Sequence, residues 1–488
     1  MSHGPALDRE AFRDLARAAL ELADGHLGGV RERAVFQPMK PDERRRLLDQ
    51  RLPDEGRAPR AILELFRDAV LPHAMGNGHP RFFGWVNSPP APLGVVADFL
   101  AAAMNPSCAG GDHAAIYLER AAVRWLMELI GFPTTGSMGL LVSGASVASI
   151  VGLAAARQHA ATAHGWDIRA DGLQGARPRL RLYVSPEGHG CLRKAAELLG
   201  LGASAIRTIP VGARFEMDVA ALRDAIAADR RAGDLPFCVA ASAGTVGTGA
   251  IDPLTAIADL CERERLWLHV DGAYGARAVL AGSEAARVAG MERVDSLALD
   301  PHKWLSVPAE CGAILIRDGA LLRDTFSLVP PYLRTEEGKG FGGLPWFSEY
   351  GVQQTRGFRA LKLWMVLQHL GRAGIAAMIE RHIALARHLA QLVDAAPDFE
   401  LLAPSSLSIV AFRYVPDALR GDATRLDDLN RRVMEQVQSE GEAFLTNTLV
   451  NGRFALRACV LHDATTEADL AALVEIVRRA GAQALRVI

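Results

Sequence analysis

Between about residues 80 and 320, short apolar runs alternate with longer stretches that are apolar only at every third or fourth position. The runs GLLVS, LRLYVS, SAIRTIP, PFCVAASAG, LWLHVD, DSLALD and CGAILIRD read as strands, and the Ala- and Leu-rich stretches between them as helices. Strands regularly separated by helices predict a mostly parallel sheet covered on both faces. Such a sheet collects its ligands beyond the carboxyl ends of its strands. The amino terminus reads as a helix, with Phe12, Leu15, Ala16, Ala19 and Leu22 on one face. Past Gly371 a helix carries Ile375, Met378, Ile379, Ile383 and Leu389 on one stripe. The strands LSIVAFRYV and RFALRACVL follow, and a last helix opens on Thr466 and Asp469 in a capping-box arrangement. Three parts are therefore expected: a helical segment over 1–78, a large α/β domain over 79–370 and a small α+β domain over 371–488.

Other features narrow the class. The 488 residues carry 54 basic and 56 acidic side chains, a balance that gives no electrostatic case for nucleic acid or an anionic membrane. Cys108, Cys191, Cys238, Cys261, Cys311 and Cys459 are scattered without a CxxC pair, as for free thiols in a reducing compartment. The first twenty residues hold Asp8, Glu10 and Asp14 where a secretory signal needs an apolar core, and a cytoplasmic protein is expected. Residues 131–156 hold no charge, but Gly, Ser, Thr and Pro dilute the run, so strand, turn and helix are expected rather than a bilayer span. Residues 328–345, broken by Pro330, Pro331 and Pro345, read as either a functional lid or disorder.

Polar residues gather where the strands end. Asp271 closes LWLHVD, and Asp300, His302 and Lys303 follow DSLALD. Small residues Ser143 to Ser146 join GLLVS to a helix, where backbone N–H groups and the helix dipole suit an anion such as phosphate. His189 follows LRLYVS, and Gly244, Thr245, Gly247 and Thr248 follow PFCVA. Singly, each has an ordinary structural explanation, such as an N-cap for Asp271 or a packing turn for Ser143 to Ser146. Together they suit pyridoxal 5′-phosphate. A lysine among apolar neighbours has its amine favoured for Schiff-base chemistry, an aspartate can pair with a pyridinium nitrogen, and the small-residue turn can take the phosphate.

The order and spacing of HPRFFGW (79–85), SGASVAS (143–149), HVDGAYG (269–275), DPHKWL (300–305) and RGFRALKLW (356–364) resemble the group II pyridoxal-phosphate-dependent decarboxylases of the aromatic-L-amino-acid decarboxylase type. The resemblance implies a homodimeric fold-type I enzyme. In it Lys303 carries the cofactor's Schiff base, Asp271 holds the pyridine nitrogen and His189 stacks on the ring. Ala145, Ser146 and His302 hold the phosphate, Ala273 packs beneath the ring, and Thr245 lies beside it. Tyr332 matches a mobile-loop tyrosine that protonates the carbon losing CO₂, reaching across the dimer interface. Trp85 and Ser88 match the substrate-pocket stretch. Two positions depart from relatives: Val246 stands where many have a second Thr, and Asp300 replaces an amide, so its carboxylate is expected to point away from the phosphate or to cap a backbone group.

The implied reaction is decarboxylation of an L-amino acid, aromatic first and acidic or diamino second, to an amine. A nearby alternative is oxidative deamination to an aldehyde. Ser146, Asp271 and His302 also occur in the chain order of a serine hydrolase, a reading that leaves Lys303 unexplained. A non-catalytic scaffold would need a missing catalytic group, and none is missing. There is no HExxH pattern, and no metal is expected.

Overall fold

The computed structural model describes residues 7–175, 177–329 and 341–486. Five helices come first: α1 (Arg9–Gly28), α2 (Pro41–Leu48), α3 (Pro59–Ala69), α4 (Pro92–Met104) and α5 (Ala114–Ile130). The alternating region then runs β1 (Met138–Val142), α6 (Ala145–Ala163), α7 (Ile168–Asp171), β2 (Leu180–Val184), α8 (Cys191–Leu198), β3 (Ile206–Thr208), α9 (Val219–Arg231) and β4 (Leu235–Ser242). It continues with α10 (Leu254–Glu264), β5 (Trp267–Asp271), β6 (Ser296–Leu299), β7 (Gly312–Ile316) and α11 (Gly319–Phe326). The last part holds α12 (Arg359–Asp394), β8 (Phe399–Leu401), β9 (Ile409–Tyr414), α13 (Ala423–Glu440), β10 (Thr446–Val450), β11 (Arg453–Cys459) and α14 (Glu467–Ala484).

Seven strands form one sheet in the order β1-β7-β6-β5-β4-β2-β3. Every residue of β2, β5, β6 and β7 is buried, which is why these strands appear in the sequence as unbroken apolar runs. β2, β3, β4, β5 and β6 pair in parallel, whereas β7 runs antiparallel to both β6 and β1. The double reversal leaves β1 parallel to β6. The carboxyl ends of β1, β2, β4, β5 and β6 therefore share one edge of the sheet, which the start of β7 also reaches. The expected fold-type I α/β architecture is what the chain adopts.

A second, antiparallel sheet, β10-β11-β9-β8, packs Phe412 and Leu456 against Leu389 of α12, Val433 of α13 and Leu473 of α14. α12 links the two cores: Ile375, Ile379 and Ile383 join the large one and Leu389 the small one. The break expected at Gly371 is present: Gly371 takes the non-helical φ 59°, ψ 175° and divides α12 into two helical segments that meet at a kink. The Thr466–Asp469 capping box forms as expected, and all six cysteines are free and buried. The uncharged stretch 131–156 becomes β1 and most of α6, and among the described residues no helix is long and apolar enough to cross a membrane. By contrast α1, α2 and α3 bury none of their residues.

Candidate active site

At the shared edge lies a cavity of about 190 Å³ lined by Trp85, Val86, Asn87, His189, Ser242, Gly244, Thr245, Val246, Asp271, Ala273, Tyr274 and Lys303. Sheet register creates its floor. Ser242 at the end of β4 lies beside Asp271 at the end of β5, and Asp271 lies beside Ala298 of β6, four residues before the turn into His302 and Lys303. Asp271 is 9% exposed. One of its oxygens accepts the Ala273 N–H at 3.1 Å, and the other makes no hydrogen bond among the described residues. His189 lies close to it. An imidazole nitrogen, an Asp271 oxygen and the Cys191 sulfur all lie within 4.8 Å of one another. Burial foremost pushes the Cys191 thiol up to about 12, so this trio lacks a ready thiolate for a metal.

Lys303 does not stand among apolar neighbours alone, as the sequence suggested: its Nζ lies 3.1 Å from Asp300 Oδ2. The other oxygen of Asp300 accepts the Ala145 N–H at 2.7 Å. Asp300 thus caps a backbone group, and the group it caps is the first N–H of α6 itself. One carboxylate ties the small-residue turn to the lysine. His302 is fixed alongside: its Nδ1 lies 2.7 Å from the Cys311 carbonyl oxygen and its Nε2 3.7 Å from Asp300, and burial foremost lowers its pKa. Among the described residues no hydrogen bond joins Ser146 to His302, so the hydrolase order in the sequence does not become a triad.

The remaining candidates separate. Ala145 is buried at the start of α6 and Ser146 beside it is exposed. Thr245 lines the cavity, but its hydroxyl accepts the Ala250 N–H at 3.1 Å and lies 3.2 Å from Thr248 Oγ1, so it holds the loop together. Val246 presents an exposed apolar face in the same wall. Trp85 lines the opposite wall with φ 44°, beside Phe82 and Phe444 at ring-centroid distances of 6.2 and 5.5 Å. Ser88 does not line the cavity: its hydroxyl donates to the His302 carbonyl at 3.2 Å, and Asn87 takes the wall position. Tyr332 and most of the expected lid lie outside the described residues.

Sequence reasoning missed Asn87, Tyr274 and Arg457. Tyr274 stacks on Trp304 at 4.9 Å and meets Ser408 Oγ at 2.5 Å. Arg457, on β11, is 2% exposed and donates from Nη1 to the Trp85 carbonyl at 2.9 Å, while its Nε and Nη2 are buried with no partner among the described residues. A buried guanidinium with two idle nitrogens, behind the Trp85 wall of the cavity, is complementary to a carboxylate. Nothing in the apolar run RFALRACVL signals this, because the partner wall is more than 370 residues away in the chain.

The donor set fits pyridoxal 5′-phosphate. An amine suits its aldehyde, a carboxylate with one free oxygen suits its pyridinium N–H, and a helix start beside an imidazole suits its phosphate. Residues 41–415 match the pyridoxal-dependent decarboxylase conserved domain. The chain belongs to that family. The decarboxylase is 33% identical over 472 residues to an aromatic-L-amino-acid decarboxylase of Bacillus atrophaeus, covering 96% of this chain and 95% of the relative. It is also 33% identical over 425 residues to a human acidic amino acid decarboxylase, covering 86% of this chain and 80% of the relative. The crystal structure of Oryza sativa TDC with PLP and tryptamine superposes with a TM-score of 0.91 at 29% identity, covering 99% of each chain. The decarboxylase is a pyridoxal-phosphate-dependent amino-acid decarboxylase, and its cofactor is pyridoxal 5′-phosphate.

Proposed function

We propose that the decarboxylase converts an aromatic L-amino acid to its amine and CO₂. The observation that carries the choice of substrate is the cavity wall. Trp85 and Val246 offer aromatic and aliphatic surface, Trp85 being backed by the buried Phe82 and Phe444, and among the described lining residues the sole lysine or arginine is Lys303. An acidic substrate brings two carboxylates, and burying the second without a cation is costly. Arg457, which does not line the cavity but bonds the Trp85 carbonyl behind its wall, can serve one carboxylate, and the described lining offers no second cation beside Lys303. The similarity to the aromatic-L-amino-acid decarboxylase of Bacillus atrophaeus supports the same reading.

In this reading Lys303 would hold the cofactor through Nζ, Asp271 would pair with its ring nitrogen, and His189 and Ala273 would pack against its ring. Ala145, Ser146 and His302 take the phosphate, and Thr245 keeps the neighbouring loop in shape. The bound cofactor supplies an electron sink for the pair left when CO₂ departs. Arg457 orients the substrate's carboxylate, and the Trp85 and Val246 walls hold its side chain and exclude water. Tyr332, assigned from the sequence resemblance, donates the proton to the carbon that lost CO₂. Protonation there gives the amine rather than the aldehyde. We further propose a homodimer, in which a second copy covers the exposed apolar faces of α1 and α3.

The test is a panel of L-tryptophan, L-tyrosine, L-phenylalanine, L-glutamate, L-aspartate and L-2,4-diaminobutyrate scored for CO₂, amine, aldehyde and ammonia. Aromatic substrates are expected to lead and to give amine with stoichiometric CO₂, and Lys303→Ala to abolish turnover. Preference for glutamate or aspartate would overturn the substrate assignment. Aldehyde with ammonia would overturn the product.

A further inference from the structure

The backbone group that Asp300 caps is the helix start itself. The Asp300 side chain is 5% exposed, and it has already taken the position an incoming anion wants. Oδ1 accepts the Ala145 N–H, the first of α6, at 2.7 Å, while Oδ2 lies 3.1 Å from Lys303 Nζ and 3.7 Å from His302 Nε2. A side chain on Gly144 would meet Asp300 Oδ1 and His302 Cε1 at 3.6 Å each, so carboxylate and imidazole both lie directly over the turn. The 19-residue helix offers one positive end, and there the carboxylate already satisfies a donor and the dipole.

We propose that the Asp300 carboxylate is a built-in rival of the cofactor's phosphate, and that it sets how tightly this chain retains pyridoxal 5′-phosphate. The proposal rests on the reading that the start of α6 is the phosphate site. Asp300 bridges the helix start and Lys303 Nζ, which keeps α6, β6 and the lysine in register. A phosphate dianion arriving at the same helix start meets a fixed negative charge and must share or displace it, which weakens its hold. Arg277, fully buried after β5 and lowered to about 10 by burial foremost, is the remaining cation that feels the Asp300 charge; it donates to the carbonyls of Ala273 and Tyr274 rather than to the carboxylate. An amide at position 300 would keep the bond from Ala145, lose the charge and gain a donor for phosphate.

The experiment compares wild type with Asp300→Asn, each stripped of cofactor and checked for fold by circular dichroism. Dissociation constants are measured for pyridoxal 5′-phosphate and for pyridoxal, which lacks the phosphate. Asp300→Asn is expected to bind pyridoxal 5′-phosphate about tenfold tighter or more, with no comparable gain for pyridoxal. Inorganic phosphate is expected to protect the cofactor-free variant from thermal unfolding at lower concentration than it protects wild type. Equal or weaker binding of pyridoxal 5′-phosphate by the variant would overturn the proposal. So would an equal gain for pyridoxal, which would assign the effect to the Lys303 pair. Should Asp300→Asn misfold, Asp300→Ser removes the same charge, and the same outcomes apply. The underlying reading fails separately: wild type that binds pyridoxal as tightly as pyridoxal 5′-phosphate has no phosphate site at the start of α6.

Discussion

His269 lies in the middle of β5, fully buried, with Nδ1 2.8 Å from Ser296 Oγ and Nε2 3.4 Å from Ser149 Oγ. Burial lowers its pKa to about 4, against the opposing pull of the Asp271 charge. A histidine neutral in the fold and titrating near 6.5 when unfolded stabilises the protein above 6.5, and that contribution is lost as pH falls from 6.5 through 4. At about 1.4 kcal/mol per unit the loss reaches about 3 kcal/mol at most. Urea unfolding of the cofactor-free chain should therefore show a lower free energy at pH 5 than at pH 7, and His269→Gln should flatten that slope. His79, also lowered to about 4, keeps part of it. Some single residues are readable in the sequence for a local reason: Asp271 and Lys303 interrupt apolar runs at strand ends. Asp300 and Arg457 are not, because their meaning comes from Ala145 and Trp85, which are brought to them only by folding.

Arg356, first residue of RGFRALKLW, fastens β1 to the rest of the large core. It is 4% exposed and donates from Nη1 to Glu119 Oε2 and to the Cys108 carbonyl, each at 3.0 Å, and from Nη2 to the Leu141 carbonyl. Glu119 returns the link by accepting the Leu141 N–H at 3.1 Å. Removing one partner leaves a buried charge alone, which costs about 3–5 kcal/mol. Arg356→Met should lower the urea midpoint accordingly, and adding Glu119→Leu should recover much of it. An unchanged midpoint for the single variant would show that the clamp is dispensable. The strands themselves were legible, since each is an apolar run between helical stretches. Their order was not. A five-residue run buried on every side, as in β7, carries no mark of direction, so its antiparallel insertion between β1 and β6 had to come from the structure.

At the scale of the whole molecule, the amino-terminal helices leave apolar side chains exposed among the described residues. Phe12 is 52% exposed, Leu20 66%, Ile62 51% and Phe66 41%. Contiguous apolar surface of this kind calls for a partner, and a second copy of the chain is the expected one. Light scattering should give twice the chain mass, and Phe12→Asp combined with Leu20→Asp should shift it toward the single chain with loss of turnover. A fully active wild-type monomer would refute the assembly. The amphipathic stripe of α1 was plain in the sequence, whereas what it packs on was not, because its complement is not contiguous with it. Within one chain, Trp304 joins the two cores: it is buried, stacks on Tyr274 and donates from Nε1 to His382 Nδ1 at 3.1 Å. Tyr274 in turn grips Ser408, next to β9. The indole is therefore a gear between the carboxy-terminal sheet and the peptide that bears the lysine. The smaller half thus reaches, through two aromatic rings, to the residue next to the lysine.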